Sequence, residues 1–274
     1  MFPFKTALNA STLFPFNLNI VEQVKIASDA GYEGIELWMR DIMSYLDNGG
    51  SLQTLKAYIR DSGISVVNAI AFFRWADKDD TLRTQGLLQA RREMEILAQL
   101  GCIAVAAPPF GDLKGESLST IAEHFAELHN MGLMIGVEPY LEFWGRAIRI
   151  SSISESLFVL MDSGVQNGKL LLDPFHMYTG GSEVEQLAYI NGASIGIVHV
   201  NDCPKDANPQ TIMDKDRVFP GDGIFPSKKF AQFLHGIGYN GFLSLELFIE
   251  QFEHESALEV ATYGLHKIQD AYSI

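Results

Sequence analysis

The chain has 274 residues, of which 47% are hydrophobic and 20% charged, and its formal net charge at pH 7 is −14. The length is close to the roughly 250 residues of a single (β/α)₈ barrel, and the composition is ordinary for a globular protein with a large core. The 34 acidic residues outnumber the 20 Lys and Arg, which argues against nucleic acid or an anionic membrane as a partner, since both are polyanions.

The cysteines and the N-terminus bear on the cellular compartment. Cys102 and Cys203 fit no metal or redox spacing, so both are predicted to be free thiols in a reducing compartment. The first ten residues lack the charged and apolar regions of a signal peptide, and no apolar run is long enough to cross a bilayer. We therefore expect a cytoplasmic protein without a membrane partner; a homo-oligomer is compatible with the sequence.

Short apolar runs alternate with longer amphipathic segments along the whole chain, which is typical of βαβ units. The predicted strands are Lys5–Asn9, Gly34–Leu37, Ile64–Asn68, Ile103–Ala106, Met134–Glu138, Lys169–Asp173, Ile195–His199 and Phe242–Glu246. The predicted helices are Ile20–Ala30, Leu52–Asp61, Leu82–Leu100, Leu118–Met131, Ser154–Ser163, Val184–Ile190, Ser227–Ile237 and Glu255–Asp270. Eight strand–helix pairs predict a single-domain (β/α)₈ TIM barrel over residues 1–274. An open doubly wound sheet is the alternative, but the first βα turn has no G-x-G-x-x-G.

Four of the predicted strands end in an ionisable residue after an apolar run: Glu138, Asp173, His199 and Glu246. Because the active site of a parallel barrel lies at the carboxyl ends of its strands, these side chains should converge. Three carboxylates packed together would repel one another and be desolvated without a cation. One imidazole and three carboxylates are donors that suit Mn²⁺, Co²⁺, Mg²⁺ or Zn²⁺. The sequence therefore predicts one divalent metal ion, held by these four residues.

Other residues near the predicted barrel mouth have open roles. His176 follows Asp173 by three residues and is predicted to hydrogen-bond substrate, with packing under the next helix as the alternative. Arg217 lies in a loop rich in Pro and Gly that could present it to substrate, although simple surface exposure is equally compatible. Structural and functional roles are balanced for the polar residues Glu36, Asn68 and Asp202. The aromatic loop residues that could wall a sugar ring are Phe72, Phe73, Trp75 and Trp144.

The sequence resembles the xylose-isomerase-like barrel superfamily of sugar isomerases and epimerases, and within it the inosose (2-keto-myo-inositol) isomerases. The segments that carry the resemblance are residues 67–73, 170–176, 197–202, 216–223 and 243–248. The resemblance implies that Glu138, Asp173, His199 and Glu246 bind one divalent ion and that Glu138 and Glu246 also serve as acid and base. It implies substrate contacts for His176 and Arg217.

This chemistry moves a proton between adjacent carbons of a polyhydroxy ketone through an ene-diolate. Returning the proton to the neighbouring carbon gives an isomerase, and returning it to the opposite face gives a ketose 3-epimerase, which is the open alternative. A DNA-repair endonuclease of the endonuclease IV type would need several metals, more than 7 His and a basic groove. The loop Leu247–Glu253 has no Gly-rich turn and carries two acids, so the small-molecule substrate is predicted to be unphosphorylated.

Overall fold

The computed structural model describes residues 1–252 and 256–274. Its strands are Lys5–Asn9 (β1), Gly34–Trp38 (β2), Ser65–Ile70 (β3), Ala104–Ala107 (β4), Glu138–Glu142 (β5), Lys169–Leu172 (β6), Ile195–Val200 (β7) and Phe242–Leu245 (β8). Its α-helices are Ile20–Ala30 (α1), Met39–Asp47 (α2), Leu52–Asp61 (α3), Asp80–Leu100 (α4), Leu118–Ile135 (α5), Ile153–Asp162 (α6), Pro174–Gly180 (α7), Ser227–Gly236 (α8) and Ala257–Ala271 (α9).

The strands form one parallel sheet in the order β3-β2-β1-β8-β7-β6-β5-β4, with β3 lying against β4. The sheet thus curls into a nearly closed barrel surrounded by helices, and the predicted (β/α)₈ architecture is confirmed. No helix in the described ranges is both long and apolar enough to cross a bilayer. Glu255, where the last helix was predicted to begin, and Glu253 in the preceding loop lie outside the described residues.

Two apolar layers hold the barrel together, one between the strands and the helices and one inside the barrel. Small side chains at Ala104 and Ala106 leave room inside the barrel for the ring of Tyr140. This ring lies over Gly196, where a Cβ would come within 2.5 Å of it. The interior below the mouth is therefore filled by apolar and aromatic side chains.

The segments after β6 differ from the prediction. The predicted helix Val184–Ile190 is a 3-10 helix over Val184–Tyr189, and α7 instead begins directly after β6. Asp173 caps α7 by accepting a hydrogen bond from the Phe175 N–H, and Pro174 occupies the first helical position, where a missing N–H costs nothing. This cap turns the chain sharply at the barrel mouth and brings His176 back over it.

Candidate metal and substrate site

Three of the predicted ligands meet at the carboxyl end of the barrel. Asp173, His199 and Glu246 lie at the ends of β6, β7 and β8, and all three are buried. One potential ligand atom from each lies within 4.8 Å of the other two. Neighbouring parallel strands place these residues side by side because their carboxyl ends share one edge of the sheet.

His199 is oriented by a carboxylate from below. Its Nε2 donates to Glu36 Oε2 at 3.2 Å, while its Nδ1 lies 3.1 Å from Glu246 Oε2 and 3.8 Å from Asp173 Oδ2. Nδ1 is buried and has no hydrogen bond of acceptable geometry within the described residues. A histidine held in this way by a carboxylate presents its other nitrogen to a cation.

Glu36 is itself fully buried and ionised. Burial opposes its ionisation, but the charge of His199 and hydrogen bonds from His199, Ser244 and Asn68 outweigh burial and lower its pKa. Asn68 Nδ2 donates to it at 2.7 Å, and Asn9 Nδ2 donates to it at 3.4 Å and to Glu246 at 3.0 Å. Glu36 therefore contacts the candidate ligand His199 directly, and Asn68 supports Glu36 from beside it.

The structure corrects the prediction for Glu138. This residue begins β5 instead of ending it, so it lies at the opposite end of the barrel from the mouth. Its Oε2 accepts a hydrogen bond from Lys169 Nζ at 2.7 Å. Four residues at about 3.3 Å per residue put some 13 Å between the two ends of β5. Glu138 is thus too far from Asp173, His199 and Glu246 to share a metal ion with them.

Glu142, and not Glu138, is the glutamate at the carboxyl end of β5. It is 6% exposed and lines the same pocket as Glu246. Burial, together with the negative charges of Glu246 and Asp173, raises its pKa to about 8 despite His199 and Arg217 nearby. Sequence reasoning missed it because the strand was placed four residues too early, although a second glutamate in Glu138–Glu142 was visible.

Arg217 is a central part of the site and is not at the surface. Its guanidinium is 1% exposed, and Nη1 donates to Asp173 Oδ2 at 2.9 Å and to Glu246 Oε2 at 2.6 Å. Nη2 donates to Asp214 at 2.6 Å. These carboxylates outweigh the effect of burial and raise the pKa of Arg217, so its charge is permanent.

Asp202 holds the loop that carries Arg217. Its backbone forms a two-bond antiparallel bridge with Val218, the residue next to Arg217. Its side chain accepts hydrogen bonds from the backbone N–H groups of Cys203, Gly221 and Phe225. The role left open for Asp202 is thus that of a buried loop anchor.

His176 lies on α7 and faces the pocket. Its Nδ1 accepts from the Gly145 N–H at 3.4 Å, and its Nε2 lies 3.9 Å from Glu142 Oε1. Burial lowers the pKa of His176 to about 4, so the ring is neutral at physiological pH. A neutral ring whose Nδ1 accepts a hydrogen bond carries its proton on Nε2, which faces the pocket and is available to a ligand oxygen.

A pocket of about 480 Å³ opens above these residues. Its floor is polar, with Glu142, His176, Asp214, Arg217 and Glu246, and the remaining lining residues are Trp38, Ile70, Phe72, Trp144, Arg146, Ala147, Phe175, Thr179 and Phe248. Of the aromatic residues predicted to wall a sugar, Phe72 and Trp144 line the pocket. Phe73 and Trp75 are instead buried in the core, where Trp75 packs against Phe125.

The donor set fits a divalent ion. Burial favours a neutral His199, but Glu246 and Glu36 outweigh it and raise the His199 pKa, so a proton sits where a cation would otherwise balance the carboxylates. The orphaned Nδ1 of His199 faces carboxylate oxygens of Asp173 and Glu246. These three residues could hold one divalent ion of the Mn²⁺, Co²⁺, Mg²⁺ or Zn²⁺ class, and Glu142, which lines the same pocket as Glu246, is a candidate fourth ligand.

Comparisons with known proteins identify the family and the fold. Residues 24–265 match the model of a family described as "Xylose isomerase-like TIM barrel". An inosose isomerase of Bacillus velezensis is 28% identical over 262 residues, covering 93% of this chain and 92% of the relative. A 3-dehydroshikimate dehydratase of Pseudomonas aeruginosa is 27% identical, covering 90% of this chain but 39% of the relative. The crystal structure of the IolI protein with a bound zinc atom superposes with a TM-score of 0.88 at 24% identity, covering 99% and 100% of the two chains.

Proposed function

Since the chain belongs to the xylose isomerase-like TIM barrel family, we propose that it is a divalent-metal-dependent isomerase of a keto-inositol-like polyhydroxy ketone. The single observation that carries the proposal is the pair of buried glutamates, Glu142 at the end of β5 and Glu246 at the end of β8, that line one pocket beside the Asp173–His199 cluster. The inosose isomerase relatives, which match nearly their full length, support the same reaction class.

The two glutamates supply the proton transfers. A bound divalent ion would polarise adjacent carbonyl and hydroxyl oxygens of the substrate and acidify the C–H between them. One carboxylate removes that proton, and the other returns a proton to the neighbouring carbon or oxygen. Glu246 is held by Asn9 and Arg217, whereas Glu142, with its pKa raised to about 8, is mostly protonated at neutral pH before a cation binds. The pair thus offers one acid and one base.

Arg217 and His176 bind and orient the substrate. The Arg217 guanidinium lies between Asp173 and Glu246, so its positive charge is placed beside the oxygens that become negative during proton removal. The Nε2 of His176 donates to a second oxygen on the same side as Glu142. The aromatic rings of Trp38, Phe72, Trp144 and Phe248 line the pocket and supply apolar surface for the carbon-bound face of the substrate.

The walls favour a ring over an open chain, which bears on the ketose 3-epimerase alternative. The carbon-bound hydrogens of a cyclic polyol form two apolar faces that match aromatic walls, whereas an open-chain ketose needs polar partners along its length. A free rather than phosphorylated substrate also suits the floor, where Asp214 is half exposed beside Arg217.

The test is a panel of keto-inositols and ketohexoses offered to the Mn²⁺-loaded protein in D₂O, with NMR detection of products and of proton exchange. We expect exchange and a carbonyl shift with a keto-inositol and loss of both after treatment with a chelator. Inversion at carbon 3 of a ketohexose without reaction of any keto-inositol would establish the epimerase instead. Full activity in protein shown by elemental analysis to be free of metal would contradict the metal requirement.

A further inference from the structure

Two arginines flank the ring of Phe175 and differ in how their charges are balanced. The guanidinium carbon of Arg217 lies 4.4 Å from the ring centroid and that of Arg146 lies 5.8 Å from it. Arg217 is paired with Asp173, Asp214 and Glu246. Arg146 also lines the pocket, but within residues 1–252 and 256–274 no carboxylate lies within 4.0 Å of it.

Arg146 is positioned by its surroundings. It lies on the loop after β5, where Gly145 packs so closely on α7 that a Cβ would collide with Thr179 and Gly180. The turn is closed by a 2.7 Å hydrogen bond from the Ala147 N–H to the Trp144 carbonyl. The guanidinium donates to the Ile212 carbonyl across the pocket rim. Its remaining N–H groups are therefore available to a ligand in a fixed region of the rim.

The pocket combines buried ionisable groups, an exposed cation and aromatic walls. Glu142, Glu246 and Arg217 are buried in it, whereas Arg146 lines it where it is exposed to solvent. The walls are mostly aromatic rings, including Trp38, Phe72 and Trp144. The polar atom of Trp38 is already used, since its Nε1 donates to Asn9 at 2.8 Å. A ligand that fills the pocket therefore needs a polar edge, apolar faces and a group that suits the exposed cation.

We propose that the pocket accepts a cyclic hydroxy-ketone that carries a carboxylate, with the carboxylate bound by Arg146. The inference rests on the proposed function, because that function determines which end of the pocket receives the reacting oxygens of the ligand. A planar carboxylate matches the fork of N–H donors on a guanidinium. A phosphate dianion is less suited, because Asp214 lines the same pocket with its side chain half exposed.

The test compares two ligands that share one ring, one with a carboxylate charge and one without it. Binding of 3-dehydroshikimate and of its methyl ester to the full-length, Mn²⁺-loaded protein is measured by titration calorimetry at low and high salt. The variant Arg146→Met removes the rim cation. The control Arg149→Met changes an arginine of the same loop that donates to the carbonyls of Glu116 and Ile148 and is not among the described residues that line the pocket.

We expect the wild-type protein to prefer the acid over the ester by about fivefold, a modest factor because Arg146 is exposed. The preference should vanish in Arg146→Met, persist in Arg149→Met and weaken with salt. Equal binding of acid and ester to the wild type, or a loss in Arg146→Met that is the same for both, would overturn the inference. If keto-inositols react but no acid preference exists, this inference fails alone. If the acid preference depends on Arg146 but no keto-inositol reacts, the proposed isomerase function fails instead.

Discussion

The two ends of strand β5 carry the same residue type in opposite electrostatic settings. At the amino end, Glu138 lies 2.7 Å from Lys169 Nζ and 3.7 Å from His129 Nε2. Burial works against its ionisation, but the hydrogen bonds and charges of these neighbours outweigh it and lower its pKa. At the carboxyl end, burial and the neighbouring carboxylates raise the pKa of Glu142 to about 8.

The difference shows how a functional end of a barrel can be recognised physically. The amino end balances one carboxylate with one lysine, which is the arrangement expected of a structural ion pair. The carboxyl end holds more carboxylates than the positive charges of Arg217 and His199 can neutralise. These carboxylates belong to Glu36, Glu142, Asp173, Asp214 and Glu246. Such an imbalance in a buried site is costly unless a bound cation offsets it, which supports the proposed metal and reaction site at the mouth.

The largest effect is expected from Glu246→Gln at the mouth. The substitution keeps the side-chain volume but removes a proton-transfer group and a negative ligand beside His199 and Arg217. Turnover should fall by about 10²- to 10⁴-fold, and metal affinity should fall with it. Steady-state kinetics on metal-saturated protein checks this, with circular dichroism as the control for folding. Near-normal kcat with metal bound would remove Glu246 from the catalytic role.

A smaller effect is expected from changing Glu36, which holds the Nε2 of His199. Metal affinity should fall about 10- to 100-fold in Glu36→Leu, because the imidazole loses its orienting carboxylate. Glu36→Gln keeps a hydrogen-bond acceptor, so its metal affinity should lie between that of the wild type and that of Glu36→Leu. Competition with a fluorescent chelator measures the dissociation constant without any substrate. Unchanged affinity in both variants would mean that Glu36 serves only the barrel core.

The smallest effect is expected at the amino end, from Lys169→Met. Metal affinity and turnover should be unchanged, and the free energy of unfolding should fall by about 1 kcal/mol or less, since both partners are partly exposed. Because the pKa of folded Glu138 is lowered, the stabilisation is complete above the unfolded pKa of about 4.3 and is lost as the pH falls through the folded value. Urea unfolding at pH 7 and pH 3 measures the free energy of unfolding of both proteins. If the wild type exceeds Lys169→Met by more at pH 3 than at pH 7, the prediction is wrong.

Strand and helix periodicity predicted most of the barrel from the sequence, because each element buries one face against its neighbours. Strand β1 has the predicted bounds of Lys5–Asn9, and Asp173, His199 and Glu246 follow or end their strands as expected. The resemblance also drew attention to Arg217, which the residues alone left equally compatible with the surface.

The error at β5 arose from two glycines that local chemistry does not distinguish. Helix α5 was expected to end at Gly132 but continues to Ile135, and Gly136 caps it with φ +91°. Gly132 is needed inside the helix, because a Cβ there would lie 2.5 Å from Pro139 Cδ and from the Val137 carbonyl oxygen. That requirement is a tertiary contact, so it leaves no local signal. The four-residue displacement moved Glu138 to the mouth and hid Glu142.

Arg146, Trp38 and Phe248 could not be predicted for a related reason. They come from the loops or ends of three different strands and meet only when the barrel closes. Helix α7, in contrast, had a local signal, since Asp173 followed by Pro174 is a pair typical of a helix start. The prediction used Asp173 only as the end of a strand.

The most direct test makes the same change at both ends of β5. Glu142→Gln and Glu138→Gln are compared for kcat and for the dissociation constant of Mn²⁺. We predict that Glu142→Gln loses about 10²- to 10⁴-fold in kcat and at least about tenfold in metal affinity, while Glu138→Gln stays within about twofold of wild type in both. Loss of metal binding and turnover in Glu138→Gln, with both retained in Glu142→Gln, would contradict the account.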